Sequence, residues 1–242
     1  MKYKIADIVV ELDTFGRTLA QAYKYLYHSD EKPQIFIDRE YCDNLGRYIR
    51  NNDPEISDDL VEYTATCTKF YSEISLYGGI MLHSSAVVVD GKAYLFSANS
   101  GTGKSTHTRL WLEIFGDRAY ILNDDKPALR LENGEWYAYG TPWSGKYDIS
   151  VNARVPLAGI AILERGDENE IAQCDPIEVL DTLVNQILHS NKPDRIAKIL
   201  ENLDMLLSAV PVYRLKCNMN PEAAIVSYEA MSGEKFVPTT EM

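Results

Sequence analysis

The chain has 242 residues, of which 45% are hydrophobic and 25% are charged, as is usual for a globular protein. This length suffices for one large α/β domain, or for a domain with a subdomain, around a sizeable core. The formal net charge of −12, from 24 basic and 36 acidic residues, argues against general binding to nucleic acid or anionic membranes. No apolar run approaches the ~20 residues of a membrane span, and the N-terminus lacks a signal-peptide core. The four cysteines are scattered without a Cys-x-x-Cys pair, so we expect a cytoplasmic protein with reduced thiols.

The first third of the chain alternates strand and helix patterns. They predict a strand over residues 3–12, a helix over 16–27, a strand over 34–37 and a helix from 53 to about 76. In the last helix we expect Leu60, Tyr63, Phe70 and Ile74 to face inward. Because no Pro, Gly or Ser linker follows, residues 1–78 are interpreted as a small N-terminal α+β subdomain and not as an independent domain. Residues 79–242 are interpreted as the core of the protein.

A hairpin opens the predicted core. Residues 80–89 read as a buried strand, and Asp90-Gly91 is a two-residue turn into a second strand over 92–97. His83 then lies on the strand beside the one that leads into the next motif. A histidine in an apolar strand is usually a core residue, but this neighbour favours a role near a bound phosphate or its metal.

The next segment is a phosphate-binding loop (P-loop, Walker A) between that strand and a helix over about 106–115. Two glycines let successive backbone N–H groups converge on a phosphate, the lysine reaches the β- and γ-phosphates, and the following hydroxyl ligates Mg2+. The motif departs from the usual pattern in beginning with Ala instead of Gly, and the alternative interpretation is a glycine-rich turn without a ligand. Its residues are Ala98, Asn99, Ser100, Gly101, Thr102, Gly103, Lys104, Ser105 and Thr106.

A carboxylate pair follows about twenty residues later. Residues 119–122 read as a short apolar strand that ends in Asn123, Asp124 and Asp125. Two carboxylates at a strand end after a phosphate loop fit a metal ligand and a base that activates a hydroxyl. The alternative is a turn that only caps the next element.

These motifs together resemble the nucleotide-binding core of the HPr kinase/phosphorylases and the ATP-dependent phosphoenolpyruvate carboxykinases. The likeness covers roughly residues 80–165 and rests on His83-Ser-Ser-Ala, Asp90-Gly, the loop at 98–106 and Asn123-Asp-Asp. It implies a P-loop-containing mixed β-sheet core flanked by helices. It also implies phosphate and Mg2+ binding by Lys104 and Ser105, and a metal ligand and base at Asp124 and Asp125. His83 matches a histidine that contacts the site in both relatives.

Two departures bear on the substrate. The segments with which carboxykinases hold a dicarboxylate are not found, and neither is the Glu-Ile-Arg-Gly segment of HPr kinases. In its place, Asn133-Gly134 predicts a hairpin turn, a strand over 135–139 and a loop over 140–145. Trp143, Ser144 and Lys146 are candidates for an acceptor or nucleotide pocket, with Trp143 stacking on a base. The alternative is that the hairpin is only structural and that its Trp and Tyr side chains pack in the hydrophobic core against the sheet.

The remaining pattern completes an α/β fold. It predicts a strand over 155–163, helices over about 175–187 and 193–208, a strand over 210–215 and a helix over 221–231. Leu180, Ile196 and Leu200 are expected in the buried stripes of the two longer helices.

The sequence therefore predicts an ATP- and Mg2+-dependent kinase that transfers the γ-phosphoryl group to a hydroxyl. The acceptor is a serine of a protein or peptide, or a small alcohol, and the chain is a candidate homo-oligomer. The alternatives are an ATP-binding regulator without catalysis and, third, a carboxykinase-like enzyme.

Overall fold

Two β-sheets and the helices around them form a mixed α/β structure. The computed structural model describes residues 1–187 and 190–238, and in these ranges it contains twelve strands and seven α-helices. None of the described helices is both long and apolar enough to cross a membrane.

The N-terminal sheet has three strands in the order β1-β2-β3, the first pair antiparallel and the second parallel. Its strands are β1 Lys2–Ile5, β2 Ile8–Leu12 and β3 Ile35–Ile37. The prediction of one strand over 3–12 is wrong. Ala6 and Asp7 both have positive φ, 49° and 59°, and two such residues make the tight turn of a hairpin.

Three helices cover this sheet: α1 Gly16–Ala22, α2 Arg39–Asn52 and α3 Asp58–Ile74. The predicted helix over 16–27 is shorter, since a 3-10 turn replaces it after Ala22. The predicted helix from 53 begins only after Ser57, whose hydroxyl accepts from the amide of Leu60. Leu60 is 42% exposed and does not face inward. Helix α2 was missed because the segment over 39–52 is mostly polar, and only Cys42 and Gly46 of it are buried.

The larger sheet runs β4-β8-β9-β10-β6-β5-β7, with β12 paired to β10 and β11 to β12. Its strands are β4 Gly79–Met81, β5 Ser84–Val89, β6 Lys92–Ser97, β7 Ala119–Asn123, β8 Ala128–Glu132, β9 Glu135–Tyr139, β10 Arg154–Arg165, β11 Glu170–Gln173 and β12 Val212–Cys217. The predicted strand over 80–89 is two strands, because β4 pairs with β8 whereas β5 pairs with β6 and β7. His83 lies in the break between them, not on a strand.

Strand direction brings several chain segments to one edge of this sheet. Strands β6, β10 and β12 are parallel, and β7 runs the same way because both β6 and β7 are antiparallel to β5. The carboxyl ends of these four strands therefore meet at one edge, together with the start of β5. Ligand sites of open α/β sheets form at such an edge.

Helices cover both faces of the larger sheet. They are α4 Lys104–Phe115, α5 Leu180–Gln186, α6 Pro193–Ala209 and α7 Glu222–Ser232. Helices α4 and α7 form one hydrophobic core with side chains of the sheet. Helices α5 and α6 form a second hydrophobic core with other side chains of the same sheet. The expected burial of Leu180, Ile196 and Leu200 is wrong, since they are 37%, 41% and 52% exposed. The buried stripe of α6 is narrower and consists of Ile199, Asn202, Leu203 and Leu206.

A third core joins the N-terminal sheet to the hairpin of β8 and β9. Besides residues of β1–β3 and α3, it contains Ala128, Tyr139 and the fully buried Trp143. The division after residue 78 stays a prediction, but this core ties the N-terminal region firmly to the larger sheet.

Candidate functional site

The glycine loop, residues 98–103, leaves β6 and enters α4 at the carboxyl edge of the larger sheet. Gly101 has φ 77° and Gly103, which caps α4, has φ 122°. Side chains other than that of glycine are rarely compatible with these angles. The free N–H groups of the first turn of α4 and the positive end of its dipole therefore face the loop, as an anion site requires.

Cationic side chains hold the loop through its carbonyl oxygens. The Lys104 Nζ donates to the Ala98 oxygen at 3.0 Å. The Arg165 guanidinium, from the end of β10, donates to the Thr102 oxygen at 3.2 Å and also to the oxygen of Gly101. These contacts place two positive charges against the loop in a chain whose net charge is negative.

Asn123 shapes the turn that carries the carboxylate pair. This residue is fully buried, and its Nδ2 donates to the backbone oxygen and the hydroxyl of Thr141 at 3.0 and 3.2 Å. Its Oδ1 accepts from the amides of Asp125 and Lys126 at 3.0 and 2.8 Å. The turn named above as the alternative is thus present, and it holds both carboxylates at the strand end.

Asp124 is tied to the helix that follows the glycine loop. The Ser85 hydroxyl donates to Asp124 Oδ1 at 2.6 Å and lies 2.9 Å from the hydroxyl of Thr108. Thr108, one turn into α4, reaches the carbonyl oxygens of Lys104 and Ser105 at 3.4 and 3.3 Å. A short hydrogen-bonded relay thus connects Asp124 to the first turn of α4.

Asp125 has three polar partners. The His83 Nε2 lies 3.0 Å from Oδ1, while the Lys126 ammonium and the Tyr63 hydroxyl, the latter at 3.4 Å, contact Oδ2. Burial raises the pKa of Asp125, but the hydrogen bond from His83 and the charge of Lys126 outweigh it and lower the pKa to about 2. The carboxylate is therefore ionised and held in a fixed orientation.

Lys104 shares the electrostatic field of both carboxylates. Burial lowers the pKa of Lys104, and the negative charges of Asp125 and Asp124 oppose that shift. The structure thus brings together four of the residues singled out from the sequence: His83, Lys104, Asp124 and Asp125.

Trp143 does not belong to the open part of this site. Its side chain is fully buried, its Nε1 donates to the Thr66 hydroxyl at 3.1 Å, and its ring centroid lies 4.8 Å from that of Phe70. The suggestion that Trp143 stacks on a base is wrong, because no face of the indole is accessible. Its apolar partners on α3 explain the burial.

Ser144 and Lys146 follow in the same loop but differ in exposure. Ser144 is buried, and its hydroxyl donates to Asp148 Oδ1 at 2.9 Å. Lys146 is exposed, with its Nζ 5.7 Å from the ring centroid of Tyr147. Between them, Gly145 approaches the site, since its amide donates to the Tyr63 hydroxyl at 3.1 Å.

Sequence reasoning missed five residues of this neighbourhood: Arg17, Tyr63 as a polar partner, Ser85, Lys126 and Arg165. Lys126 directly follows the carboxylate pair, so its position in the chain was a usable signal. Tyr63 and Arg17 come from α3 and α1, and Arg17 also donates to the Gly145 oxygen. Only the packing of the N-terminal region on the larger sheet brings them here.

Two cavities flank the glycine loop. One, of about 510 Å³, lies between the loop, the end of β10 and Thr182 of α5. The other, of about 440 Å³, lies between the loop, α4 and the end of β12, and is lined in part by Leu110, Leu163 and Met219. Arg165 borders both. Space for a ligand larger than phosphate thus exists on each side of the loop.

Comparison with known proteins gives a family but no residue roles. A model of the family described as "SynChlorMet cassette protein ScmC" matches residues 50–222, and the chain belongs to this family. No curated protein matches it. Among solved structures, the HPr(Ser) kinase/phosphatase of Coxiella burnetii aligns with 63% of this chain and 95% of its own, at 12% identity and a TM-score of 0.37. That likeness is too distant to transfer an activity or a residue role.

Proposed function

We propose that this protein is a kinase that transfers the γ-phosphoryl group of ATP to a hydroxyl. The observation that supports this most is the convergence of Lys104, at the start of α4, with Asp124 and Asp125 at one sheet edge. Phosphoryl transfer needs an anion cradle, a cation site and a group that orients the attacking hydroxyl. The residues that would provide these parts are near one another, since the charges of Asp125 and Asp124 both oppose the lowering of the Lys104 pKa by burial.

The phosphates of ATP are assigned to the glycine loop and the first turn of α4. The helix N-terminus and the loop amides provide donors for phosphate oxygens, and Lys104 provides a charge. On binding, the Lys104 ammonium exchanges the Ala98 oxygen for a phosphate oxygen, which is the stronger acceptor because it is charged. The nucleoside has the two flanking cavities available.

Ser105 and Asp124 fit a Mg2+ ion. Both offer oxygen donors, which Mg2+ prefers, and the relay through Ser85 and Thr108 ties them to the same helix turn. No group of three His, Cys, Asp or Glu side chains in the described ranges could hold a metal alone, so phosphate oxygens would have to complete the shell. When bound, the ion neutralises phosphate charge.

Asp125 is assigned to the acceptor. It is ionised at neutral pH and is oriented by His83, so it can accept a hydrogen bond from an acceptor hydroxyl. A carboxylate of such low basicity acts mainly by orienting the hydroxyl, and the loose transition state of phosphoryl transfer needs no stronger base. The acceptor, a serine of a protein or peptide or a small alcohol, is left to experiment, as is assembly into a homo-oligomer.

A second candidate is an ATP-binding regulator without catalysis. The observation in its favour is that both oxygens of Asp125 are already engaged, by His83, Lys126 and Tyr63. It predicts ATP binding without turnover.

Transfer of label from [γ-32P]ATP distinguishes these candidates. Wild type and Asp125→Asn are incubated with Mg2+ and an extract of the source cell, and proteins and small molecules are separated. The kinase proposal expects one labelled acceptor with wild type only. ATP binding by both proteins without any labelled acceptor would reject the kinase and favour the regulator.

A further inference from the structure

Lys126 stands beside the carboxylate pair with a fixed backbone and a long side chain. Its amide donates to Asn123 Oδ1 at 2.8 Å, and its carbonyl oxygen accepts from the hydroxyls of Tyr71 and, at 2.7 Å, Thr141. The backbone therefore cannot shift without breaking three partly buried hydrogen bonds. The four methylene groups of the side chain still let the ammonium move over several ångströms.

The ammonium is paired with Asp125 in a partly desolvated place. The Lys126 and Asp125 side chains are only 24% and 18% exposed, and the contact is on Oδ2. Removing two charges from water is costly, so a pair of this kind often stabilises a protein no more than apolar residues of the same size would, and it can be retained for another reason. Asp125 keeps His83 on its other oxygen, so it does not depend on Lys126 alone.

Tyr63 holds both the ammonium and the carboxylate. Lys126 Nζ lies 5.3 Å and the Arg17 guanidinium carbon 4.4 Å from the centroid of its ring, and its hydroxyl is 3.4 Å from Asp125 Oδ2. A ring face attracts a cation by about 0.5–2 kcal/mol, so Tyr63 adds to the salt bridge with Asp125 and keeps Lys126 close when that salt bridge opens. An anion that arrives here would compete well for the ammonium.

Two lysines thus approach the carboxylate pair from different elements. Lys104 comes from the start of α4, on the side of the glycine loop, and Lys126 from the turn after β7. They are close enough for the charge of Lys126 to lower the pKa of Lys104, besides the larger effects of burial and of the two carboxylates. A phosphoryl group that leaves the loop for a hydroxyl at Asp125 is therefore attracted by both ammonium groups.

We propose, resting on the kinase function above, that Lys126 is a catalytic residue that moves from Asp125 Oδ2 to the phosphoryl group during transfer. The bond from the γ-phosphorus to the acceptor oxygen forms as the bond to the bridging oxygen of ADP breaks, and that oxygen keeps the electron pair. Asp125 orients the hydroxyl during transfer, and the acceptor proton passes to its Oδ2, which the departure of Lys126 has opened, only after the new phosphorus–oxygen bond has formed. The Lys126 ammonium donates hydrogen bonds to the equatorial oxygens of the transferred phosphoryl group, over which negative charge is spread in the transition state.

Affinity for a mimic of the transferred group tests this role without turnover. Binding of ADP with Mg2+, and of ADP with Mg2+ and aluminium fluoride, is measured by calorimetry for wild type, Lys126→Met, Lys126→Gln and Lys126→Arg. Lys198→Met, an exposed lysine on α6, is the matched control. Melting curves for every variant show which ones are folded. Two neutral replacements, Lys126→Met and Lys126→Gln, are used so that the test can still be made if one of them does not fold.

The expected result is a fluoride-dependent gain in affinity that Lys126 supplies in part. Wild type and Lys198→Met gain from fluoride, whereas a neutral residue at 126 lowers that gain about 10- to 100-fold and leaves ADP affinity alone. Lys126→Arg keeps part of the gain. An undiminished gain in the folded neutral variants, or no gain in wild type, overturns the role of Lys126 while nucleotide binding stands. No ADP binding by wild type rejects the kinase itself.

Discussion

Replacing Asn123 by alanine tests whether the turn at the end of β7 is built as described. The fully buried side chain makes four hydrogen bonds: two donated to Thr141, and two accepted from the amides of Asp125 and Lys126. Alanine removes all four and leaves two backbone N–H groups, one carbonyl oxygen and the Thr141 hydroxyl without these partners. The carboxylate pair loses its support at the same time.

The magnitude follows from the number of groups left unpaired. Each of these hydrogen bonds is worth about 1 kcal/mol net, and a buried group that stays unpaired costs ~1–3 kcal/mol. Because the amides of Asp125 and Lys126 are only partly buried, water recovers some of this, and we expect a loss of roughly 2–4 kcal/mol in the free energy of unfolding. For a chain of this size the melting temperature then falls by roughly 5–15 °C.

Urea unfolding followed by circular dichroism measures this loss. Asn218→Ala is the control, because Asn218 makes a similar turn, from its Nδ2 to the Asp167 oxygen and from the Asn220 amide to its Oδ1, at a half-buried place. We expect the control to lose about 1 kcal/mol or less. Equal stabilities of Asn123→Ala and Asn218→Ala would show that the turn does not depend on Asn123.

Three further predictions concern the core, the loop and the carboxylate. Trp143→Ala should cost about 3–5 kcal/mol in urea unfolding, with ATP affinity unchanged by calorimetry in the folded protein, because the indole fills the core and faces no cavity. Gly103→Ala should weaken ATP binding by roughly 5- to 150-fold, since φ 122° strains a residue with a Cβ by about 1–3 kcal/mol; unchanged affinity would contradict this. Burial raises the pKa of Asp125, but His83 and Lys126 together lower it to about 2, below its unfolded value of about 3.9. The ionised Asp125 therefore stabilises the folded state above pH ~5, and this contribution to the free energy of unfolding is lost as the pH falls towards 2. Between pH 5 and 2, wild type should therefore lose roughly 2 kcal/mol more than Asp125→Asn; parallel curves would contradict the pairing.

The local parts of the site could be predicted because each is a short chain segment with its own geometry. Gly101 and Gly103 indicated positive φ, and a strand before them and a helix after them indicated a helix N-terminus at the end of the loop, which the structure places at Lys104, two residues before the predicted start at 106. Asn123, Asp124 and Asp125 were recognised as the end of a strand. In each case neighbours in sequence are neighbours in space.

Predictions failed where contacts between distant parts of the chain determine strand boundaries or burial. The break at His83 depends on β4 pairing with β8, which is about fifty residues away in the chain, and no local pattern shows such a partner. Trp143 looked available for a ligand because nothing in its own segment indicates that α3 covers it. Tyr63 was assigned to the core for its periodicity, which is correct for its ring but silent about its hydroxyl.

Binding of the phosphates of ATP by the glycine loop can be measured by calorimetric titration of wild type and Lys104→Met with ATP and Mg2+. Lys104→Met keeps the aliphatic length of the side chain and removes the charge. We expect saturable binding of one ATP per chain by wild type and at least tenfold weaker binding by the variant, whose melting temperature falls by no more than about 4 °C because it loses one hydrogen bond of the loop. No binding by wild type, or equal binding by both proteins, would contradict this expectation.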